Sequence, residues 1–483
     1  MSLHKIRNGE ALGLADQLKL TAQLSWPAMV AQLSSMMMQY IDAAMVGHLG
    51  ADDSASVGLV STSLWLFWGL CSAATMGFSV QVAHSIGASD FRRARRILRQ
   101  GISSCFIFSL FIAAIGAAIA FPLPHWLGGE QQICHGASVY FLVFVLALPL
   151  FTMNYLAGGM LRCSGNMKVP GALNVMMCVL DVIFNFFLIF PTREVVAGGV
   201  PLVIPGCGLG VLGAAIGTAA AEIITAAAMM WYLCTRQEGM RIAEEKGSFR
   251  PQREVIRNAV KVSAPMTLEH AVICGAQIAI TVIVAPLGVM AIAANAFAVT
   301  AESLCYMPGY GLSEAATTLV GQSYGARRKD LARRFGNITV FTGMATMGVM
   351  GVVLYLFAPE VMELMTPVRG IIDLGAEALR IEAFAEPMFA ASIVAYGVMI
   401  GVGDTVVPAV MNFSSIWLVR VTLAAWLAPS MGLAGVWLAM CIELCFRGAI
   451  FLWRLFSGAW LRSGLAKNEN QELKENLGAD HLN

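Results

Sequence analysis

Twelve apolar runs, each long enough to cross about 30 Å of hydrocarbon as a helix, follow one another along the chain. They cover residues 22–46, 55–83, 100–122, 137–160, 170–190, 208–233, 262–285, 289–320, 337–358, 376–400, 408–428 and 432–456. The runs are continuous and do not alternate at every second residue, so they predict helices and not the strands of a membrane barrel. The long runs 55–83 and 289–320 predict tilted or bent helices. The expected fold is all-α and polytopic in a lipid bilayer.

The runs repeat. Shifted by 238 residues, Ser25 and Pro27 fall on Ser263 and Pro265, and Leu49-Gly50 on Leu287-Gly288. Gly87-Ala88 falls on Gly325-Ala326, and Ala94-Arg95-Arg96 on Ala332-Arg333-Arg334. Pro149, Gly159, Gly165, Pro170 and Asn174 fall on Pro387, Gly397, Gly403, Pro408 and Asn412. The offset then drops to 222, where Gly210 and Gly213 meet Gly432 and Gly435; a Gly/Pro-rich loop around 191–206 holds the extra residues. Each repeat has six runs, an even number, so both start on the same side of the membrane. An axis along the membrane normal relates them, as in some secondary transporters with a site between the halves. The chain divides into an N-terminus 1–21, a first lobe 22–234, a linker 235–257, a second lobe 258–456 and a tail 457–483.

Charge orients this pattern. Hydrophobic residues make up 58% and charged residues 13% of the 483, against about 25% charged in soluble domains. The net charge of +1 gives no field for nucleic acid. Arg92, Arg93, Arg95, Arg96 and Arg99 lie between runs 2 and 3, and Arg162 and Lys168 between 4 and 5. The linker carries Arg236, Arg241, Lys246, Arg250, Arg253, Arg257 and Lys261; Arg327, Arg328, Lys329, Arg333 and Arg334 lie between 8 and 9. The opposite loops hold only Arg193 and Arg369. The positive-inside rule places both termini in the cytoplasm of a multi-pass inner-membrane protein. The first residues lack a short apolar core and cleavage site of a signal peptide. The 11 cysteines form no C-x-x-C pair or metal spacing. Neither a G-x-x-x-x-G-K-[ST] loop nor H-E-x-x-H is present, so neither ATP drive, a cofactor nor an enzyme is expected. Asp52-Asp53 lacks the second acidic cluster of a membrane prenyltransferase.

Ionisable residues inside spans are costly and commonly functional or paired. Here they are Asp42, Asp181, Glu222, Glu269, Glu302, Glu382, Glu386 and Glu443, with Arg380, Arg420 and Arg447. Glu443 and Arg447 are four apart and predict an ion pair on one helix face, with Arg420 as a neighbour. Arg380 and Glu382 are placed near the outer end of run 10, within reach of headgroups. Asp42 has no basic residue in its run and lies in the outer half, as do Asp181 and Asn185, four apart on run 5. Neighbouring carboxylates in low dielectric do not both ionise cheaply, so Asp42 and Asp181 form a candidate proton or cation site. In the second lobe Glu269, Glu302 and Glu386 are candidates for a coupling cation or a cationic substrate. Glu386 precedes Pro387, where a broken helix would free backbone carbonyls.

Several motifs together resemble the multidrug and toxic compound extrusion (MATE) transporters over roughly 20–456. Pro27 followed by Ile41-Asp42-Ala43-Ala44-Met45-Val46-Gly47-His48-Leu49-Gly50-Ala51 is similar to the family's first span. Glu302-Ser303-Leu304, Met307-Pro308, Gly311, Val320-Gly321-Gln322 and Gly325-Ala326 are similar to its eighth. Leu161-Arg162-Cys163-Ser164-Gly165-Asn166 and Gly401-Val402-Gly403-Asp404-Thr405 look like its paired turns, and Gly208 through Ala215 like the start of its sixth span. The resemblance implies a V-shaped pair of six-helix lobes, acting as a monomer in the inner membrane. It implies export of cationic or amphipathic small molecules in exchange for protons or sodium by alternating access. The family's span 1 carboxylate falls on Asp42. A span 5 Asn-x-x-x-Asp of one branch falls on Asp181 and Asn185, with the two types exchanged, and a span 6 Thr falls near Thr218. Glu269 and Glu386 lie about one turn from the acids of another branch. A flippase for lipid-linked sugars, from related two-lobed families, would need a cationic cavity; the intramembrane balance here is acidic.

Orientation is testable by cysteine labelling in a background freed of native cysteines. An impermeant thiol reagent applied to intact cells is expected to modify Asp52→Cys and to spare Arg95→Cys and Ser248→Cys. External labelling of Ser248→Cys would invert the topology.

Overall fold

The computed structural model describes residues 2–197 and 200–463. The apolar runs fold as helices that overshoot them. The first repeat gives α1 (Leu14–Gly47), α2 (Ala51–Gly87), α3 (Phe91–Ile119), α4 (Gln131–Cys163), α5 (Lys168–Ile189) and α6 (Gly210–Thr235). The second gives α7 (Arg253–Val284), α8 (Val289–Gly325), α9 (Lys329–Leu356), α10 (Arg369–Ala383), α11 (Glu386–Val402), α12 (Val406–Met431) and α13 (Leu433–Ser457). Ten of the described helices are long and apolar enough to cross a membrane; α10 and α11, bent by 60°, make an eleventh span if taken as one. The 34-residue α1 completes twelve, its apolar content diluted by Gln23, Gln32, Ser34, Ser35, Gln39 and Asp42.

Helix ends at the basic side extend past the apolar runs because polar residues continue the helix beyond the hydrocarbon. Thus α1 starts at Leu14 instead of 22, and α3 at Phe91 instead of 100. Asp90 caps α3 by accepting the Arg93 backbone N–H at 2.9 Å. The loop expected around 191–206 pairs as an antiparallel hairpin, β1 (Pro191–Ala197) with β2 (Val200–Cys207). Run 10 is broken, with Pro387 in the first turn of α11, where its missing N–H costs nothing. Its repeat mate Pro149 sits inside the unbroken α4, so proline alone does not decide the break. The tail from 464 onward lies outside the described residues.

The buried clusters show how the lobes meet. At the end carrying the arginine loops, the basic end, Leu20, Leu24 and Ala28 of α1 pack on Leu312, Ala315 and Leu319 of α8. There Val255 and Ala259 of α7 join Phe78 and Val82 of α2, with Leu156 and Met160 of α4. Val80, Val262 and Ile400 add a small cross-lobe cluster. At the opposite end, Val60, Phe67 and Phe141 pack within the first lobe, and Val284, Ala291, Leu379 and Trp437 within the second. The lobes are therefore joined mainly at the basic end, and toward the other end α1 still meets α8 where the Tyr40 hydroxyl donates to the Thr300 carbonyl at 2.5 Å. Large apolar side chains such as Phe111, Val282, Val349 and Trp453 stay exposed on the outside, as a lipid-facing surface requires.

The repeat governs the crossing of α2 and α8. Gly87 lies against the backbone of Gln322, and Gly325 against the backbone of His84. Each pair is the 238-residue image of the other. The turns that follow are equivalent too, since Ser89 (φ 61°) and Arg327 (φ 59°) both adopt the left-handed conformation. Small residues permit such close approach in lipid, where helices gain little from burying apolar surface. Gly87→Val and Gly325→Val each put side-chain atoms into a facing backbone. Each is expected to destabilise the protein by about 1–3 kcal/mol, read as a lower thermal midpoint in detergent. Gly58→Ala on α2, where an added Cβ meets nothing within 4 Å, should hold or raise the midpoint, since alanine favours the helix over glycine.

Candidate functional site

The first lobe assembles the predicted α1–α5 site. Asn185 is one turn beyond Asp181 on α5, and both are fully buried. The Asn185 amide donates to Asp42 Oδ1 at 2.8 Å and to Asp181 Oδ2 at 3.2 Å. One side-chain NH2 thus bridges two carboxyls from different helices. The Asp42 carboxyl also reaches Asp181, and Thr218 on α6 reaches Asp181. Gly217 makes this possible: a Cβ there would overlap the Asn185 amide oxygen. Asp42 and Thr218 line a cavity of about 170 Å³, walled by Trp65, Trp68, Tyr140 and Phe144. Carboxyls in contact repel unless a proton or cation lies between them.

The second lobe separates what the sequence grouped together. Glu269 accepts hydrogen bonds from the Tyr396 hydroxyl and the Asn412 amide and faces a central cavity of about 320 Å³. Glu302 and Glu386 line neither central cavity. They gather instead with Glu382, whose carboxyl is in reach of Glu302, around the α10–α11 break. The placement of Glu382 near the headgroups is corrected: it is fully buried, because the bend turns α10 inward there. Arg380 remains exposed, with Tyr355 beneath its guanidinium.

The expected Glu443–Arg447 pair forms at 3.0 Å, and Arg420 joins it at 3.1 Å. The Ser415 hydroxyl donates to the same carboxylate at 2.5 Å. Residues five apart on an α-helix point about 140° apart. The stretch Ser415–Val421 widens to a π-helix and brings Ser415 and Arg420 to one face. Glu222 accepts from the Asn154 amide at 2.7 Å.

Sequence reasoning missed Glu314 on α8, which meets Arg162 of α4 at 3.5 Å and the Gln32 amide of α1 at 3.2 Å. The signal was present. Glu314, Thr318 and Gln322 recur every fourth residue as a polar stripe in an apolar run. The next two residues of the stripe bind the first lobe: Thr318 donates to the Arg162 carbonyl and Gln322 to the Cys163 carbonyl.

The family model described as MatE matches residues 27–187 and 265–426, one segment in each repeat. The chain belongs to the MatE family of transporters. Known proteins match it over most of their length and its own. A probable multidrug resistance protein, NorM, of Thermotoga maritima is 24% identical over 92% of this chain and 94% of that protein. A crystal structure of MATE in complex with MaD3S superposes with a TM-score of 0.85 at 21% identity, over 95% of this chain and 99% of that one. A MOP superfamily transporter from Pyrococcus furiosus also reaches 0.85, at 20% identity, over 96% and 99%. The solved structures share the all-helical membrane fold.

Glu443 offers a contrast with the glutamate cluster. Glu443→Gln leaves two guanidiniums without their shared carboxylate and should destabilise by about 3–5 kcal/mol. Glu302→Gln removes one of three crowded carboxyls and should not lower stability. Thermal unfolding of both purified variants in one detergent checks the pair.

Proposed function

We propose that this transporter exports cationic or amphipathic small molecules, multidrug efflux, in exchange for protons or sodium, and acts as a monomer in the inner membrane. The carrying observation is the Asp42–Asn185–Asp181 bridge beside an open cavity. It provides a carboxyl pair that an external cation can occupy without displacing a resident basic side chain. The names of relatives, such as the probable multidrug resistance protein of Thermotoga maritima, support the same reading. With the basic end in the cytoplasm by the positive-inside rule, the closed end is cytoplasmic and the first-lobe site faces outward.

In this reading Asp42 and Asp181 take the coupling ion, with Asn185 and Thr218 holding their geometry. Ion binding removes the carboxyl repulsion, allows α1 to repack and changes the cavity wall that the substrate touches. Coupling then follows from the different affinities of the two states for ion and substrate. The membrane potential supplies about 2.3 kcal/mol per charge per 100 mV. Glu269, Glu302 and Glu386 are second-lobe groups for a cation or the substrate, with Glu269 placed to meet substrate and the other two to hold an ion.

The test is transport in proteoliposomes under a pH gradient or a sodium gradient applied separately. Asp42→Asn keeps the shape of a protonated carboxyl and should fold and insert. It is expected to lose the gradient dependence of export, a coupling of about 5–150-fold in systems of this kind. Full coupled transport by Asp42→Asn would move the switch to the second lobe.

A further inference from the structure

Glu314 stands where the two central cavities meet. The 320 Å³ cavity and a second of about 290 Å³ share Gln32, Arg162, His270 and Glu314 among their walls. Glu314 belongs to the second lobe, but both of its polar partners come from the first: Arg162 at 3.5 Å and Gln32 at 3.2 Å. The ion pair is longer than the 3.0 Å of Glu443–Arg447, and both side chains keep access to the cavity, at 18% and 23% exposure.

A second carboxylate, from the same lobe as Arg162, lines one of these cavities. Glu222 lines the 290 Å³ cavity, as do Tyr155, Arg162 and Glu314. Arg162 therefore shares a cavity with two acids, one in each lobe, and is ion-paired with the one across the lobe boundary.

We propose that Glu314 receives the positive charge of the transported cation, and that Arg162 is its placeholder in the empty cavity. This rests on the cation-export reading above and names the residue that takes the cation. An entering organic cation competes with Arg162 for one carboxylate. The displaced guanidinium turns to Glu222, so each buried charge keeps a partner throughout the exchange. A cross-lobe ion pair becomes a within-lobe one, directly above the Thr318 and Gln322 contacts that close the basic end. Cation binding thereby weakens the grip between the lobes, and a neutral molecule of similar shape does not.

The experiment uses the full chain in nanodiscs, with tetraphenylphosphonium as the cation and triphenylphosphine oxide as the neutral probe. Spin labels at Lys168→Cys and Arg334→Cys, both exposed and one in each lobe, in the background freed of native cysteines, report lobe separation at the basic end. In the wild-type background tetraphenylphosphonium should bind and broaden or lengthen the label distance, and the neutral probe should not change it. Glu314→Gln keeps a partner for Gln32; it should weaken the cation roughly tenfold or more, leave the neutral probe unaffected and abolish the distance change. Arg162→Gln removes the competitor and should bind the cation more tightly. Opposite signs for the two halves of one ion pair are what a purely structural bridge does not produce. Weaker cation binding by Arg162→Gln overturns the proposal even if Glu314→Gln fails to fold, and so does unchanged binding by both variants. Failure of the folded wild-type protein to bind the cation at all overturns the export reading itself.

Discussion

The contact on which the molecule depends is the close crossing of α2 and α8, where Gly87 rests on Gln322 and Gly325 on His84. Two copies of one helical unit cannot hold together in lipid by burying apolar surface, because lipid is as apolar as the helices. They hold together by backbone proximity, made possible by the absence of a side chain at two equivalent positions. Around this crossing α1 packs along α8 and α7 along α2, each pairing the image of the other. Joined at the basic end, the lobes part toward the other end and leave the central cavities between them.

This arrangement sets where charge is tolerated. Three of the buried acid sites show three different solutions. Glu443 is neutralised by two arginines and a widened helical turn. Glu269 is held by neutral donors from Tyr396 and Asn412. Asp42 and Asp181 share one amide. The first carries its counter-charges as part of the chain. The other two accept hydrogen bonds from uncharged donors, and both border cavities.

Much of this was legible before any coordinates. The apolar runs fixed the number and order of the spans, because the hydrocarbon thickness demands a minimum length that composition reveals. The repeat and the arginine loops gave the parallel two-lobed plan. The four-residue spacing of Asp181 and Asn185 placed them on one face, and their burial near the depth of Asp42 made the bridge a natural expectation. Glu443 and Arg447 were readable for the same reason, since spacing along a helix is local information.

What the tertiary structure decided were the relations between helices. Run 10 carries the same proline as run 4, yet only one of them breaks, and that bend buries Glu382 where sequence had put it at the surface. Thr218 and Gly217 matter because α6 lies against α5, and Glu314 because α8 brings it to α4. The sequence by itself determined the all-helical span pattern, the duplication and the in-helix pairs, all of which follow from periodicity and length. The partners of Asp42, Glu269 and Glu314 come from other helices 127 to 282 positions away in the cases of Tyr396 and Gln32. Contacts of that kind are set by helix rotation and crossing, which backbone packing chooses and no local pattern records.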